Sequence, residues 1–204
     1  MSGSGTPEIP TLETERLRLR PHTAADFPAC TTLWSDASVT RFIGGRALTR
    51  EEVWARLLRY AGCWHWMGFG YWAVEELLTG RFIGELGFAQ NERDFEPQVA
   101  LVDAAGLTMP EVGWVVAPEF HGRGYATEGV RAALAWGDSH ITHSCSFCII
   151  HPDHSASIGV AKRCGFVEFS RPFYQSEPTI LFTRRKNVKA GSVSMKGGEE
   201  GPRS

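Results

Sequence analysis

Two glycines near the middle of the chain could leave backbone N–H groups open to a negatively charged ligand. Gly122 and Gly124 follow Glu111–Val116, a run rich in strand-forming residues, and Pro118 ends that strand because it has no N–H for a sheet ladder. A helix is predicted to begin near Gly124, with small and apolar residues on one face. Exposed amides at a helix N-terminus bind anions, helped by the helix dipole. The pattern therefore predicts a site for a phosphate or pyrophosphate.

The glycine spacing alone does not identify the ligand. Gly122-x-Gly124 lacks the third glycine of the dinucleotide fingerprint, and no Gly-Lys-Ser or Gly-Lys-Thr ending of a P-loop is present. A purely structural turn also remains open. The ligand therefore has to be identified from the wider segment.

That wider segment resembles a known pattern. His121–Ala126, which reads His-Gly-Arg-Gly-Tyr-Ala, resembles motif A of the GNAT superfamily of N-acetyltransferases, Gln/Arg-x-x-Gly-x-Gly/Ala. The preceding Glu-Val-Gly-Trp-Val-Val-Ala-Pro and the following Thr127-Glu128 fit the Rim-type branch of that superfamily. His121 stands where Gln or Arg is usual. The resemblance covers roughly residues 12–184 and implies acetyl-CoA as the cosubstrate.

A second segment agrees with the first. His151–Phe166 resembles the family stretch Asn-x-x-Ser-x-x-x-x-x-Lys-x-Gly-Phe. Ser157 matches the serine, Arg163 stands for the lysine, and Gly165-Phe166 matches the ending. His154 replaces the Asn that normally reaches the pantetheine arm.

The resemblance implies cofactor-binding residues on the signature strand, on its turn and on the two helices that follow. They are Trp114, Val115, Val116, His121, Gly122, Arg123, Gly124, Tyr125, Ala126, Thr127 and His154. If the strands splay, backbone groups of 114–116 are placed to hold the thioester oxygen, which gains negative charge during transfer.

Acyl transfer to an amine needs a base, because an alkylammonium group is mostly charged at neutral pH. Glu111 is the first candidate, since related enzymes use a glutamate at this position. The alternative for Glu111 is an exposed carboxylate at a strand end. Glu85 is the second candidate, because it is a lone acid on the apolar strand 82–88 and would face either a sheet edge or a cleft.

The leaving CoA thiolate is expected to take a proton from a hydroxyl group. The helix predicted over 155–164 contains no Tyr, so the resemblance assigns this role to Ser157, with Tyr174 of a neighbouring loop as the alternative. The acceptor is expected to be an amine on a small molecule or at a peptide N-terminus. His65 and Trp66 are candidates for the wall of its pocket.

Composition limits the other functions. The 204 residues carry a formal net charge of −2, which gives no general attraction to nucleic acid or to anionic membranes. No apolar run is long enough for a membrane span, and the N-terminus has no apolar core of a signal peptide, so a cytoplasmic location is expected. We expect a monomer or a homodimer.

The five cysteines are expected to be free thiols. Cys145 and Cys148 have Cys-x-x-Cys spacing, but they lie in the strand predicted over 144–150. Three positions apart on a strand, they point to opposite faces, so a zinc pair is not expected. No metal site is predicted, and His151 and His154 are interpreted as turn and cap residues.

Local signals predict the order β-α-α-β-β-β-α-β-α-β-β. Thr23 with Asp26 and Thr49 with Glu52 have capping-box spacing, and a hairpin is predicted around 79–80. The loop 91–110 is long for a compact domain and could line the active site. A helix is predicted over 155–164. Asp153, His154 or Ser155 lies where it would begin, with Asp or Ser as the best cap, and Gly165 ends it.

These elements predict one mixed α/β (α+β) domain. The resemblance implies a single central, mostly antiparallel sheet that is splayed at its two middle strands and flanked by helices. We expect a mobile N-terminus over 1–11, the N-acetyltransferase domain over 12–186 and a disordered tail over 187–204. A non-catalytic domain that binds or senses acyl-CoA is the alternative, because His121 and His154 replace two family ligands.

Overall fold

The structure is a computed structural model, and it describes residues 8–187. Within this range eleven strands and five α-helices are present, none of the helices being long and apolar enough to cross a membrane. Strands β1 to β11 are Leu12–Glu13, Leu17–Arg20, Tyr71–Glu76, Phe82–Ala89, Phe95–Glu96, Glu111–Val116, Cys145–Ile150, Val167–Ser170, Phe173–Tyr174, Glu177–Pro178 and Ile180–Arg185. Helices α1 to α5 are Phe27–Ser35, Ala37–Thr40, Arg50–Met67, Tyr125–His140 and Ser155–Arg163.

Eight of these strands form one central sheet in the order β1-β2-β3-β4-β6-β7-β11-β8. Every neighbouring pair is antiparallel except β6 and β7, which run parallel. A small second sheet has the order β10-β9-β5. The predicted mixed α/β class with a mostly antiparallel sheet is confirmed.

The sheet separates between its two parallel strands. Glu111 and Phe147 are the one pair of partners between β6 and β7 in the described chain. The Phe147 N–H donates to the Pro110 carbonyl at 3.1 Å. Beyond this point the strands diverge, so β6 pairs along its length with β4 alone. The expected splay is therefore present, and it opens toward the C-terminal end of β6.

Local sequence signals explain where the longest helix begins and ends. Thr49 caps α3, since its hydroxyl accepts from the Glu52 N–H and the Glu52 carboxylate accepts from the Thr49 N–H. Gly68 ends the helix with φ of 71°, a conformation that glycine adopts without steric cost. The Thr23 and Asp26 capping box is also present, but it begins a 3₁₀ turn that precedes α1.

The two faces of the sheet pack against different helices. On β6, Val112 and Val116 belong to the large core that includes Val130 and Leu134 of α4. Val115 points the other way and packs with the core of α1 and α3. This alternation follows from the period of two along a strand. Residues at odd positions of β6 therefore face the α1–α3 layer.

The loop between β4 and β6 is more ordered than predicted. It contains β5, which pairs with β9, and an isolated bridge between Val102 and Thr108. The Asp103 carboxylate accepts from the N–H groups of Ser144 and Leu107, and these bonds lower the pKa of Asp103 to about 2. Two-residue strands whose partners lie far along the chain leave no periodic signal.

The cysteine prediction is confirmed for the pair on β7. Cys148 is buried in the core beneath α4, whereas Cys145 packs on the opposite side with the core that includes Phe147. All five cysteines are free. At the N-terminus, the Pro10 carbonyl accepts from the Trp72 indole at 2.8 Å. The rest of the predicted mobile and disordered termini, residues 1–7 and 188–204, lies outside the described range.

Candidate active site

A cleft of about 1040 Å³ lies where β6 and β7 diverge. The C-terminal half of β6 lines it on one side, the start of α4 lies at one end, and the start of α5 lies opposite. Of the predicted cofactor-binding residues, the cleft is lined by Trp114, Val115, Val116, His121, Gly122, Gly124, Tyr125, Ala126, Thr127 and His154. The structure thus brings together residues that lie 40 positions apart in the chain.

Arg123 is the predicted cofactor residue that does not line the cleft. Its guanidinium lies over the Phe120 ring and 4.0 Å from the Glu76 carboxylate. Its carbonyl accepts from Arg16 at 3.0 Å. The two glycines on either side turn the chain so that the side chain between them leaves the site. Basic side chains reach the cleft instead from Arg131 and Arg163.

The glycine turn has the geometry that the sequence predicts for an anion site. Gly122 and Gly124 have φ of 74° and 82°, in the region that L side chains rarely adopt. Gly124 is the N-cap of α4 and carries no side chain to bond the first N–H groups of the helix. These N–H groups and the helix dipole are therefore directed at the cleft.

The middle of β6 offers its own backbone groups. The Ala117 N–H donates to the Ile83 carbonyl, so the groups of Ala117 face β4. By the alternation of an antiparallel ladder, those of Val116 and Trp114 face away from β4 and toward the cleft. His121 Nε2 lies 2.7 Å from the Val116 carbonyl, and because a carbonyl only accepts, Nε2 carries the proton.

His154 bridges the cleft to the segment that follows α2. Its ring stacks on Phe42 with centroids 4.6 Å apart, and His151 lies on Phe42 at 5.3 Å. Burial, and then the charges of His121 and His151, lower the pKa of His154. His154 is also the N-cap of α5 but makes no side-chain capping bond, so the expected Asp or Ser cap was wrong.

The two candidates for the general acid lie in different places. Ser157 lines the cleft, and its hydroxyl has no hydrogen-bond partner among residues 8–187. Tyr174 is outside the residues that line it. The Tyr174 ring packs against Phe95 at 5.8 Å and beneath the guanidinium of Arg93 at 4.6 Å. Only Ser157 is placed beside the cofactor cleft.

The sequence left open whether Glu111 is a catalytic base or an exposed carboxylate at a strand end, and it is not exposed. It is 6% exposed at the closed end of the splay. Arg93 donates to both carboxylate oxygens, at 2.5 and 2.6 Å, and Asn91 donates to one of them at 2.9 Å. These partners come from the long loop before β6. The loop 91–110 therefore contacts Glu111, but none of its residues lines the cleft.

Glu85 faces neither a sheet edge nor a cleft, and both expectations for it were wrong. It is fully buried between the sheet and the α1–α3 layer. Its carboxylate accepts from the Trp34 indole at 2.9 Å and the Tyr60 hydroxyl at 2.5 Å, and His22 Nε2 lies at 3.4 Å. Burial by itself would raise the pKa of Glu85, but the His22 contact and the Tyr60 bond outweigh it and lower that pKa.

The same cluster contains donors that the sequence did not single out. Atoms of His22, Cys30 and Glu85 lie within 4.8 Å of one another, so three possible metal ligands meet here. One Glu85 oxygen is already saturated by Trp34 and Tyr60. Burial raises the pKa of the Cys30 thiol, which keeps it protonated. Hydrogen bonds from Trp34, Tyr60 and the Cys30 thiol account for the Glu85 carboxylate, whereas both ring nitrogens of His22 are buried without a hydrogen-bond partner among residues 8–187.

Tyr71 is a second residue that the sequence did not single out. Tyr71, Gly87 and Gly113 form one row across β3, β4 and β6. The Tyr71 hydroxyl occupies the space that a Cβ at position 113 would fill. Its ring stacks parallel on Tyr60, with centroids 4.5 Å apart. Burial and the charge of Glu111 raise the pKa of Tyr71, so its hydroxyl remains protonated at neutral pH.

The predicted acceptor wall is not at the cleft. His65 is exposed and Trp66 is 81% exposed on the outer surface of α3. The buried members of that aromatic region, Trp64, Phe69 and Trp72, belong to the main core.

Comparisons with known proteins agree with this geometry. Residues 16–167 match the family model described as an acetyltransferase (GNAT) domain. The uncharacterised protein YkkB of Bacillus subtilis is 27% identical over 180 residues, which are 86% of this chain and 95% of YkkB. The crystal structure of an acetyltransferase from Agrobacterium tumefaciens is 27% identical with a TM-score of 0.73, over 87% of this chain and 95% of that one.

A Rim-type enzyme shares the fold. RimL, a ribosomal L7/L12 α-N-protein acetyltransferase solved with coenzyme A, matches 86% of this chain and 98% of its own, with a TM-score of 0.67. At 15% identity this likeness shows the fold alone. The family match covers most of the chain. This chain therefore belongs to the GNAT acetyltransferases.

Proposed function

We propose that the protein transfers the acetyl group of acetyl-CoA to a primary amine by direct attack of the amine on the thioester. The single observation that carries this is the cleft between β6 and β7, with an anion-binding turn at one end and open strand groups in its middle. A phosphate-bearing, elongated thioester matches both features. A domain that only senses acyl-CoA would not need the groups around Glu111.

The cofactor contacts follow from position. The pyrophosphate lies on the N–H groups at the start of α4, where Gly122 and Gly124 expose the backbone, and Arg131 and Arg163 add positive charge along the cleft. The pantetheine arm runs along β6. The thioester oxygen accepts from an outward N–H of β6, at Trp114 or Val116, as charge develops on it.

Proton movement is divided between the two sides of β6. Glu111 receives the amine proton through water, and Arg93 holds the carboxylate in place. Ser157 donates to the departing thiolate on the cofactor side. A thiol ionises near ~8.5, so this second transfer needs only a weak acid.

An amine panel with detection of released CoA thiol tests the proposal. The panel holds free amino acids, a peptide N-terminal amine, spermidine and an aminoglycoside, the last three because structural neighbours act on such acceptors. We expect acetylated product and stoichiometric CoA with at least one class. Tight binding of acetyl-CoA without product from any amine would favour the sensing alternative.

A further inference from the structure

Arg56 on α3 is a partly buried guanidinium without a carboxylate partner. It donates one hydrogen bond, from Nη1 to the Tyr60 hydroxyl at 3.2 Å. Its plane lies over the Trp34 ring, 3.9 Å from the centroid. In the part of the chain that the structure describes, no acidic group lies within 4.0 Å of it. Four of its five N–H donors are therefore unused by side chains.

Other partly buried arginines are paired. Arg20 bonds Asp26 with two of its nitrogens, at 2.8 and 2.6 Å. Arg184 bonds Asp138 in the same way. A guanidinium withdrawn from water is costly unless it is paired and hydrogen-bonded. Arg56 has the Tyr60 hydroxyl, the Trp34 ring and the more distant charge of Glu85, but no carboxylate occupies its planar fork in the described chain.

Arg56 stands on the acceptor side of the signature strand. Tyr60, its hydrogen-bond partner, stacks on Tyr71, whose hydroxyl reaches Gly113. Trp34, beneath the guanidinium, packs in the same core as Val115, which lines the cleft. Arg56 is thus part of the layer opposite α4, whereas the phosphate-binding turn lies at the start of α4.

We propose that Arg56 binds a carboxylate on the acceptor, so that the preferred substrate is an amine that also carries a carboxylate, as an α-amino acid does. This inference rests on the proposed acetyl transfer. A guanidinium fork matches the two oxygens of a carboxylate. Glu111 is paired with Arg93 and Glu85 is sealed in the core, so neither of these two carboxylates is free to bind a second ammonium group of a polyamine.

The test compares matched acceptors. Each amino acid is assayed beside its own carboxamide, and the readout is the ratio of their kcat/KM values. The amines of the two differ in basicity, so the ratio in a variant is divided by the ratio in the wild type, which cancels that difference. Spermidine and an aminoglycoside serve as acceptors that have no carboxylate.

Arg56→Gln should lower the acid-to-amide ratio at least tenfold, and Arg56→Lys should lower it less because the charge remains. Arg59→Gln, one turn along the same helix on the exposed side, is the control and should leave the ratio unchanged. Thermal melts and acetyl-CoA binding establish that each variant is folded. Retention of the ratio in a folded Arg56→Gln, or an equal loss in Arg59→Gln, would overturn the proposal.

Failure of the inference differs from failure of the proposed function. If amides or polyamines are acetylated better than acids and Arg56→Gln does not change the ratio, Arg56 only balances Glu85 through Tyr60, and acetyl transfer stands. If no amine yields product, acetyl transfer itself is wrong. Both outcomes contradict a carboxylate site at Arg56, but only the second also contradicts the proposed acetyltransferase activity.

Discussion

At the scale of single residues, the pairing of Glu111 with Arg93 constrains the proton transfer proposed for the acceptor. Arg93 and Asn91 hold the carboxylate in one orientation on the face of the sheet where Tyr71 also lies. Oε2 accepts two hydrogen bonds and Oε1 accepts one, so the remaining acceptor site for a proton is on Oε1. Transfer through water to a fixed carboxylate fits this geometry better than direct contact with a mobile one.

Replacement of Glu111 by Gln keeps the size of the side chain but removes its capacity as a base. We expect kcat to fall on the order of a hundredfold, the usual scale for a positioned base. The Kd for acetyl-CoA should stay the same, because the carboxylate lies on the acceptor side. The decrease should shrink at high pH, where the amine is already neutral. Steady-state kinetics across pH measure both effects.

The matched control is Glu119→Gln, an exposed carboxylate that pairs with Arg81 on the surface. It should leave kcat and its pH dependence unchanged, since surface ion pairs contribute little. Equal turnover of Glu111→Gln and wild type at every pH would remove Glu111 from the mechanism.

Sequence patterns identified candidate catalytic residues only where they belong to a local motif. Glu111 and Ser157 were found because each lies inside a recognisable segment. Arg56 and Tyr71 were missed because their roles arise from contacts across β3, β4 and α3, which no spacing along the chain records. Glu85 was singled out because it is a lone acid on an apolar strand. It is fully buried and accepts a hydrogen bond from Tyr60, which indicates a structural role.

At the scale of elements, the start of α4 is the part whose geometry most directly serves a ligand. Gly124 has φ of 82°, and a side chain there would meet little besides the end of Arg16, 3.6 Å away. Substitution is therefore opposed by backbone strain and not by crowding. A strained non-glycine residue costs about 1–3 kcal/mol.

Gly124→Glu should lower stability by about that amount and should also weaken CoA binding at least a hundredfold, because a carboxylate would oppose the pyrophosphate and cover the N–H groups. Gly106→Glu is the matched control. Gly106 has φ of 77°, with no heavy atom near its missing Cβ, and it does not line the cleft. Gly106→Glu should lose about as much stability as Gly124→Glu but should bind CoA normally.

Urea unfolding and calorimetric titration with CoA separate the two effects. Normal CoA binding by a folded Gly124→Glu would place the anion site elsewhere. An equal loss of binding in both variants would mean that strain acts on the cleft from a distance.

The contact between α5 and the segment after α2 makes stability depend on pH. Because the pKa of His154 is lowered in the folded state, the unfolded chain takes up a proton more readily as pH falls below about 6.5. Stability from the neutral ring is thus present above that pH and decreases below it. Asn, the residue of the family motif that His154 replaces in the sequence resemblance, does not titrate.

His154→Asn should therefore lose less stability than the wild type between pH 7.5 and pH 5.5, as measured by urea unfolding at both values. His65→Asn on the exposed surface of α3 is the control and should follow the wild type. A wild-type curve that does not change over this interval, or one that His154→Asn follows closely, would contradict the role given to the ring stacked on Phe42.

Element boundaries could be predicted where end signals lie in the chain itself. The Thr49 capping box and Gly68 define α3, and Gly165 follows α5 with φ of 84°. The small sheet of β5, β9 and β10 could not be predicted, since its strands have two residues each. Phe95 pairs with Tyr174 across nearly eighty positions, so only the folded chain brings them together.

At the scale of the whole molecule, the two faces of the sheet have different parts in the proposed reaction. The proposed cofactor contacts lie mainly on the face under α4 and α5, and Glu111, Tyr71 and Arg56 lie on the side of α1 and α3. The gap between β6 and β7 connects them. A thioester placed in that gap is reachable by an amine from the opposite side, so two substrates can meet without sharing one entrance.

This arrangement predicts that acetyl-CoA stabilises the whole fold, because one ligand contacts β6, α4 and α5 together across the gap. A ligand at about 100 times its Kd should add ~2.7 kcal/mol to the free energy of unfolding. CoA should act similarly, since both share the pyrophosphate and pantetheine. NAD and ATP should give smaller shifts at equal concentration, because they lack the arm that fills the gap. Thermal melts with each ligand measure these changes in stability. In Gly124→Glu, the stabilisation by CoA and acetyl-CoA should disappear. A larger shift with NAD than with CoA would contradict the role assigned to the cleft, since the turn at Gly122 would then hold a dinucleotide and not a pantetheine thioester.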